Sequence, residues 1–200
     1  MTMDETVDRL RALGLQGGGG SSDFDLNPDI KLPPGRKLRQ AAVLVPVIWK
    51  GGQARVILTK RSSVLKHHPG QIAFPGGKQE EFDDTPEDTA LREASEEIGL
   101  APQNVDVLGR LPSHETVTGF DVTPVLGRVR DDFAAVADPG EVAEVFTVPL
   151  THLTQAERFQ VQSRIWQGHP RSYYVVPYGP YYIWGATARI LRGLAERYGA

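Results

Sequence analysis

The sequence predicts an α/β fold in which a mixed β-sheet is packed between helices. Apolar runs typical of strands alternate irregularly with segments of helical period, and no internal repeat is found. The composition is that of a globular chain, because 40% of the 200 residues are hydrophobic and 24% are charged. These proportions exclude a disordered or fibrous protein, and the length fits one elaborated domain.

The charge and residue counts exclude several classes of function. The chain has 22 Lys and Arg against 25 Asp and Glu, a net charge of −3, so it lacks the basic excess that neutralises a nucleic-acid backbone. With no Cys, it has no disulfide, thiolate metal site or Cys nucleophile. No apolar run approaches the roughly 18 to 20 residues that span a bilayer, and the acidic N-terminus is unlike a signal peptide. We expect a cytoplasmic protein that binds neither nucleic acid nor a membrane, in an oligomeric state that the sequence does not specify.

The N-terminal part is predicted to be a short amphipathic helix on a flexible tether. Four apolar residues recur near helical spacing: Val7, Leu10, Leu13 and Leu15. A Gly-rich tract at 17–22 and a Pro-rich stretch at 28–35 then favour irregular structure. We therefore divide the chain into residues 1–35, a helix with a flexible Gly/Pro-rich lead-in, and residues 36–200, one domain with a single hydrophobic core.

Strands and two helices are predicted in the rest of the chain. The strands cover residues 41–49, 54–59, 105–111, 122–129, 158–165 and 172–176, and a mixed apolar segment at 142–149 enters a turn. The clearest helix spans residues 85–100, because Thr85 can cap its start, Pro86 suits its first turn and Gly99 ends it. A second helix covers residues 183–198.

Three carboxylates on one side of the helix at 85–100 are the strongest sign of chemistry. At about 100° per residue, Glu93, Glu96 and Glu97 fall within roughly a third of the helix circumference. Hard cations such as Mg²⁺ are held by one or two carboxylates together with substrate phosphates. Arg92 precedes Glu96 by four residues and is expected to pair with it, leaving the other two carboxylates pointed outward. Spacing alone leaves two interpretations open, a metal-binding face and a solvated Glu-rich face.

A basic segment precedes this helix, at residues 57–77. Its charged or titratable groups are Lys60, Arg61, Lys66, His67 and His68. Beside an acidic helix they suit a ligand with phosphates, which the acids alone would repel. Two other interpretations are a surface loop that balances neighbouring acids and a zinc site on the two histidines, for which no third ligand is suitably spaced.

Residues 92–100, REASEEIGL, resemble the second half of the signature of the Nudix hydrolases. The first half differs by one loop residue, so that its Glu position falls on Asp83 or Asp84. The resemblance implies an α/β/α sandwich and metal-dependent hydrolysis of a nucleoside diphosphate linked to another group.

The same resemblance assigns roles by position. It implies that Glu93 and Glu97 bind Mg²⁺ or Mn²⁺, that Glu96 completes the acidic site, and that Arg92 orients it. A further carboxylate often comes from beyond the signature in this family. Glu141 and Glu144 are the candidates here, and we assign the catalytic role to Glu144.

The segment at 57–77 is similar to a pattern of the coenzyme A pyrophosphatase branch of the Nudix hydrolases. The residues in register with that pattern are Ile57, Leu58, Thr59, Arg61, Ser62, Lys66, Gly70, Phe74, Pro75, Gly76 and Gly77. The similarity implies cleavage of coenzyme A or its thioesters to 4′-phosphopantetheine, or its acyl form, and adenosine 3′,5′-bisphosphate. It also implies a set of substrate-binding residues: Arg61, Ser62, Lys66, Gly70 and Phe74. The alternatives are the same chemistry on ADP-ribose or a dinucleotide, and a non-catalytic nucleotide-binding module.

Two smaller features complete the interpretation. Pro75, Gly76 and Gly77 are expected to let the backbone approach the metal closely. Trp184 and its neighbours Tyr181 and Tyr182 could stack on a base or on pantetheine, although aromatic residues beside a C-terminal helix more often belong to the core.

Overall fold

The computed structural model describes residues 2–30, 35–166 and 168–199. The helices are α1 (Met3–Leu15), α2 (Pro86–Ile98), α3 (Leu150–Leu153) and α4 (Gly185–Tyr198). The strands are β1 (Ser21–Ser22), β2 (Arg39–Lys50), β3 (Gln53–Arg61), β4 (Ile72–Ala73), β5 (Gly76–Lys78), β6 (Val105–Arg110), β7 (His114–Glu115), β8 (Phe120–Val129), β9 (Val142–Pro149), β10 (Gln160–Trp166) and β11 (His169–Val175).

Most of these strands form one mixed sheet. Its order is β1-β7-β8-β2-β3-β4, with β5 paired to β2, β6 to β8 and β9 to β3. The central pair β2 and β8 is parallel, with Arg39 opposite Phe120 and Val47 opposite Arg128. The short pair β1 and β7 is also parallel, and the other pairs in the sheet are antiparallel. A separate hairpin consists of β10 and β11.

Helices cover both faces of the sheet, which confirms the predicted α/β/α sandwich. On one face α2 buries Ala94 and Ile98, and on the other α1 and α4 bury Leu10 and Leu191. The single core that we expected is therefore two apolar clusters. Successive side chains of a strand point to opposite faces, so an apolar strand such as β2 supplies both clusters at once.

The predicted helices and long strands are confirmed in type, and the segment at 142–149 is strand β9. The sequence did not predict the short strands β1, β4, β5 and β7. Each has two or three residues, which is too short for an alternating pattern.

Helix α1 packs on the sheet, contrary to the expected tether. Leu10 and Leu13 are buried, while Leu15, outside the packed face, is 77% exposed. Gly14 lies against Gly109 of β6, where a Cβ on Gly14 would be 2.8 Å from the Gly109 Cα. The apolar stripe that predicted the helix needs a surface to cover it, and the sheet supplies one. Residues 31–34 of the predicted lead-in lie outside the described residues, and the boundary at residue 35 stays a prediction.

In the described ranges, no helix has both the length and the apolar character needed to cross a membrane.

Candidate active site

The local sequence fixes both ends of α2, which carries the acidic residues. Thr85 and Asp88 form a capping box in which the Asp88 N–H donates to Thr85 Oγ1 (3.2 Å) and the Thr85 N–H donates to Asp88 Oδ2 (2.9 Å). Gly99 ends the helix in the left-handed conformation, with φ 70°. The apolar face packs on the sheet, and this orientation sets which carboxylates reach β5.

Strand β5 brings glycine backbone onto two carboxylates of α2. Glu97 is buried, and its Oε2 accepts a hydrogen bond from the Gly76 N–H (3.2 Å). Gly76 has φ 155°, and a Cβ there would lie 2.5 Å from the carbonyl oxygen of Ala42 on β2. At Gly77 a Cβ would lie 2.5 Å from the carboxylate of Glu93. Gly76 therefore requires glycine, because an added Cβ would meet backbone, whereas at Gly77 an added Cβ would meet only the end of the Glu93 side chain.

Arg92 links the loop before α2 to the acidic side of the helix. It binds Asp83 with two hydrogen bonds, from Nε to Oδ1 (3.0 Å) and from Nη2 to Oδ2 (2.7 Å). Its Nη1 also contacts Glu93 (2.8 Å) and Glu96 (3.1 Å). The expectation that Arg92 would leave Glu93 and Glu97 pointed outward was wrong, because Arg92 holds Glu93 and Glu97 is buried.

In the loop before α2, Arg92 contacts Asp83 rather than Asp84. Its side chain is buried and also accepts hydrogen bonds from the Glu80 N–H (3.0 Å) and Thr89 Oγ1 (3.0 Å), whereas Asp84 is exposed. The hydrogen bonds from Arg92 hold the pKa of Asp83 well below its usual range. Tertiary contacts thus distinguish the two aspartates, and the assignment of the signature's Glu position to Asp83 stays a prediction.

Burial governs the protonation of the two candidate metal ligands. Burial, together with the charges of Glu93 and Glu141, raises the pKa of Glu97 to about 8, against the opposing hydrogen bond from the Gly76 N–H. Burial also raises the pKa of Glu93, although the hydrogen bond from Arg92 opposes this shift. Glu93 therefore lies close enough to Glu97 for its charge to disfavour the charged form of Glu97.

The residues around Glu97 fit a hard divalent cation. In the described ranges no cluster of three or more Asp, Glu or His side chains is arranged as a complete ligand set. Mg²⁺ does not require one, because it is commonly held by one or two carboxylates with water and substrate phosphates completing the shell. A buried carboxylate whose charge is disfavoured, beside a second carboxylate and the backbone of two glycines, offers oxygen ligands for such an ion.

The structure separates the two acids considered beyond the signature. Glu144, on β9, accepts a hydrogen bond from the Tyr181 hydroxyl. Glu141 lies in the loop before β9, and its charge acts on both Glu93 and Glu97. Sequence reasoning placed the two acids together but could not tell which one acts on the carboxylates of α2.

The residues of the segment at 57–77 lie in different surroundings. Ser62 is buried, and it binds the loop that carries Glu141, because its N–H donates to Glu141 O (2.8 Å) and its hydroxyl to Pro139 O (3.2 Å). Phe74 is buried in the core and borders a cavity. Gly70, at φ 71°, closes the loop through its N–H to Arg61 O (3.1 Å), and Lys66 is exposed.

Arg61 is the member of this segment best placed for an anion. Its Nε is buried and has no hydrogen-bond partner among the described residues. Its charge lowers the pKa of Glu97, so the guanidinium lies near α2. The zinc interpretation of His67 and His68 finds no support in the described ranges, where no metal-binding cluster includes them.

A cavity of about 390 Å³ opens beside the two glycines of β5. It lies between the sheet, the start of α4 and the β10–β11 hairpin, and its volume is in the range of small-molecule sites. Among the described residues, its charged or histidine side chains are those of Arg61, His68, Lys78, Arg164, Arg171, Arg189 and Asp23. Cations outnumber the single carboxylate among these residues, which favours an anionic ligand.

The segment after α1 forms one wall of this cavity, with Ser22, Asp23 and Leu26. The Asn27 side chain fixes this segment to the hairpin, because it accepts from the Ser172 N–H (2.8 Å) and donates to Ser172 O (3.0 Å). Sequence reasoning missed this role, since no local pattern connects positions 145 residues apart.

Trp184 also borders the cavity, together with Tyr173 of the hairpin. The interpretation of Trp184 as a core residue is therefore incomplete. Arg164, which was not predicted, lies over its ring. The alternation of side chains along β10 is the one sequence signal that could have assigned Arg164 to a face of the strand. It does not identify Trp184 as the residue that Arg164 contacts.

Comparisons with known proteins identify the family of this chain. The NUDIX domain family matches residues 38–167. The chain is 42% identical over 161 residues to a protein of Enterobacter sp. (strain 638) called an uncharacterized Nudix hydrolase NudL, with 80% of this chain and 83% of that protein covered. A protein of the same name from Klebsiella pneumoniae (strain ATCC 700721 / MGH 78578) is 42% identical over 162 residues, covering 81% of this chain and 84% of that protein. The crystal structure of the Nudix hydrolase RenU from M. smegmatis has 26% identity, covers 57% of this chain and 72% of that chain, and has a TM-score of 0.48. On its domain match and these relatives, the chain belongs to the Nudix hydrolase family.

Proposed function

We propose that this protein hydrolyses the diphosphate bond of coenzyme A or its thioesters. The observation that carries the proposal is the buried Glu97 beneath the Gly76 N–H, beside Glu93 and next to a cationic cavity. In the reaction, water adds to one phosphorus and the bridging oxygen leaves with the other phosphate. The products are 4′-phosphopantetheine, or its acyl form, and adenosine 3′,5′-bisphosphate.

Glu93 and Glu97 would hold the divalent cation, Mg²⁺ or Mn²⁺. When bound, such an ion neutralises charge on the diphosphate and makes a coordinated water more acidic. Arg92 holds Glu93 in place through its contacts with Asp83, Glu93 and Glu96. Its role is therefore positioning, and we expect Glu96 to act in the same network.

Glu141 is our candidate for receiving the proton of the attacking water. Its charge acts on both Glu93 and Glu97, and Ser62 fixes its backbone. The earlier assignment of this role to Glu144 is less well supported, because Glu144 is bonded to Tyr181. Comparing kcat of Glu141→Gln with that of Glu144→Gln distinguishes the two.

The choice of coenzyme A rests on the residues at 57–77 and on the cavity. Arg61 is our candidate for a ligand of the diphosphate, because it borders the cavity and its charge acts on Glu97. Lys66 and Gly70 belong to the same loop, and Lys66 is exposed for contact with a phosphate. The apolar part of the lining, which includes Phe74, suits the uncharged portions of such a substrate.

Product analysis tests the substrate. With Mg²⁺ present, we expect coenzyme A to yield 4′-phosphopantetheine and adenosine 3′,5′-bisphosphate, with kcat/KM at least tenfold above that for ADP-ribose. A preference for ADP-ribose or a dinucleotide would refute coenzyme A as the substrate and would still agree with hydrolysis of a diphosphate bond. Binding of coenzyme A without any product would indicate a non-catalytic module.

The variant Glu97→Gln tests the site itself. It keeps the shape and removes the charge, so we expect kcat to fall by about a hundredfold or more while the protein stays folded. Glu157→Gln, at an exposed position outside the cavity wall, is the matched control and should leave kcat unchanged. Near-normal turnover of Glu97→Gln at limiting Mg²⁺ would contradict the assignment.

A further inference from the structure

The cavity has a second cationic feature, on the β10–β11 hairpin. The Cζ of Arg164 lies 4.3 Å from the ring centre of Trp184 and 5.8 Å from that of Tyr173. The two rings meet edge to face, with centroids 5.2 Å apart. The guanidinium is therefore supported by aromatic surface, which limits its freedom and leaves its N–H groups available at the edge.

Arg164 differs from two other arginines of the cavity wall in its contacts with acids. Among residues 2–30, 35–166 and 168–199, Arg164 forms no ion pair, whereas Arg171 contacts Asp23 (3.3 Å) and Arg189 contacts Asp25 (2.8 Å). All three arginines line the cavity. Within the part of the chain that the structure describes, Arg164 is thus a positive group in the wall without an acidic partner.

The start of α4 adds to the positive potential on the same wall. The helix begins at Gly185 with no side-chain cap, and Gly185 and Ala186 line the cavity. The N-terminus of a helix attracts anions through its unpaired N–H groups. Trp184, which supports Arg164, is the residue directly before this terminus, so the guanidinium and the helix start lie on one side of the cavity.

Arg61 and Arg164 therefore mark two different anion positions. Arg61 acts on Glu97 at the catalytic end, and Arg164 belongs to the hairpin wall. A substrate that satisfies both carries a phosphate group in addition to the diphosphate that is cleaved. A planar guanidinium with open N–H groups suits the paired oxygens of a phosphate monoester better than a carbonyl or hydroxyl.

We infer that Arg164 binds the 3′-phosphate on the adenosine part of the substrate, with Trp184 and Tyr173 positioning its guanidinium. The inference rests on the proposed function, since it names how that same site selects its substrate. It assigns the recognition of this phosphate to the hairpin, and leaves the diphosphate to Arg61 and the catalytic helix.

A comparison of two substrates tests the inference. Arg164→Ala should raise KM for coenzyme A about tenfold, through the loss of a charged hydrogen-bonded pair, and change KM for dephospho-coenzyme A less than twofold. Its kcat should stay within twofold for both. Arg158→Ala removes the same charge from an exposed site outside the cavity wall and should leave both KM values unchanged.

The supporting rings have their own test. Trp184→Leu should weaken the discrimination between the two substrates, and Trp184→Phe should restore part of it, because a ring again lies beneath the guanidinium. A merely structural role would change KM for both substrates alike. Equal effects of Arg164→Ala on the two substrates, or none on either, would overturn the inference.

Direct binding separates this inference from the proposed function. By calorimetry, the unaltered protein should bind adenosine 3′,5′-bisphosphate about tenfold more tightly than adenosine 5′-monophosphate, and Arg164→Ala should remove the difference. This difference in binding is expected whether or not coenzyme A is hydrolysed. A failure to hydrolyse coenzyme A would refute the proposed function alone. Equal binding of the two nucleotides by the unaltered protein would refute the inference alone.

Discussion

At the scale of single residues, the contact between Asp83 and Arg92 organises the acidic site. Arg92 reaches Asp83, Glu93 and Glu96 at once, so the loop before α2 determines where the carboxylates of the helix lie. The sequence predicted the pairing with Glu96, because that contact is local to one turn. It could not choose between Asp83 and Asp84, since the choice depends on which one folds back onto the helix.

Asp83→Asn should destabilise the protein by about 1–3 kcal/mol. The Asn side chain has one oxygen, so it cannot accept both hydrogen bonds that Arg92 donates to the two oxygens of Asp83. The pH dependence has a definite sign. The pKa of Asp83 is lower in the folded protein than in the unfolded chain. The carboxylate therefore contributes fully to stability above the pKa of the unfolded chain, about 3.9, and this contribution is lost as the pH falls through the pKa of the folded protein. Urea denaturation gives the free energy of unfolding of the unaltered protein and of Asp83→Asn. We expect the difference between the two to be smaller at pH 3 than at pH 7.

Asp84→Asn is the matched control for this measurement. Asp84 is the adjacent acid, is exposed and takes no part in the Arg92 contacts, so its substitution should change the free energy of unfolding by less than about 0.5 kcal/mol. A larger loss for Asp84→Asn than for Asp83→Asn would contradict this account of the loop.

At the scale of elements, α2 was predictable and β5 was not. The capping box and Gly99 specify the helix from neighbouring residues, and its apolar spacing specifies the buried face. Strand β5 has three residues and is defined by its pairing with Ala41–Val43 of β2, a contact distant in sequence. The sequence indicated that glycines were needed there, but not that one glycine would bond Glu97 and the other would abut Glu93.

Gly77→Ala should impair catalysis more than folding. The added Cβ would meet the carboxylate end of Glu93, a flexible group that can move without disturbing the backbone. We expect kcat to fall roughly ten- to a hundredfold, because small displacements of a catalytic group are costly. Thermal unfolding should stay close to that of the unaltered protein. Gly17→Ala, with no heavy atom within 4 Å of its added Cβ, is the control, and equal activity of the two variants would refute the role of this contact.

At the scale of the whole molecule, sequence patterns predicted the layers of the fold but not how distant parts meet. Period and composition were enough for a mixed sheet between helices. The cavity depends on contacts that no local pattern encodes, such as Asn27 with Ser172 and Arg164 with Trp184. The same limit explains why α1 was expected to stand apart from the domain that it covers.

Leu10→Ala should show that α1 belongs to the common core. Leu10 is fully buried in the cluster shared with α4, so truncation should cost about 2–5 kcal/mol in one cooperative transition. Leu15→Ala, in the same helix at a position 77% exposed, should cost less than about 0.5 kcal/mol. If Leu10→Ala left the main transition unchanged and lost only a separate early step, α1 would be an independent unit after all.

The central claim is that this site directs water to a phosphorus of the diphosphate. The most direct test is the hydrolysis of an acyl-coenzyme A in ¹⁸O-water with Mg²⁺, followed by mass spectrometry of the first products. We predict that ¹⁸O enters one of the two phosphate-containing products, that the thioester of the acyl-phosphopantetheine stays intact, and that a chelator abolishes the reaction. Free labelled carboxylic acid as the first product would contradict the account.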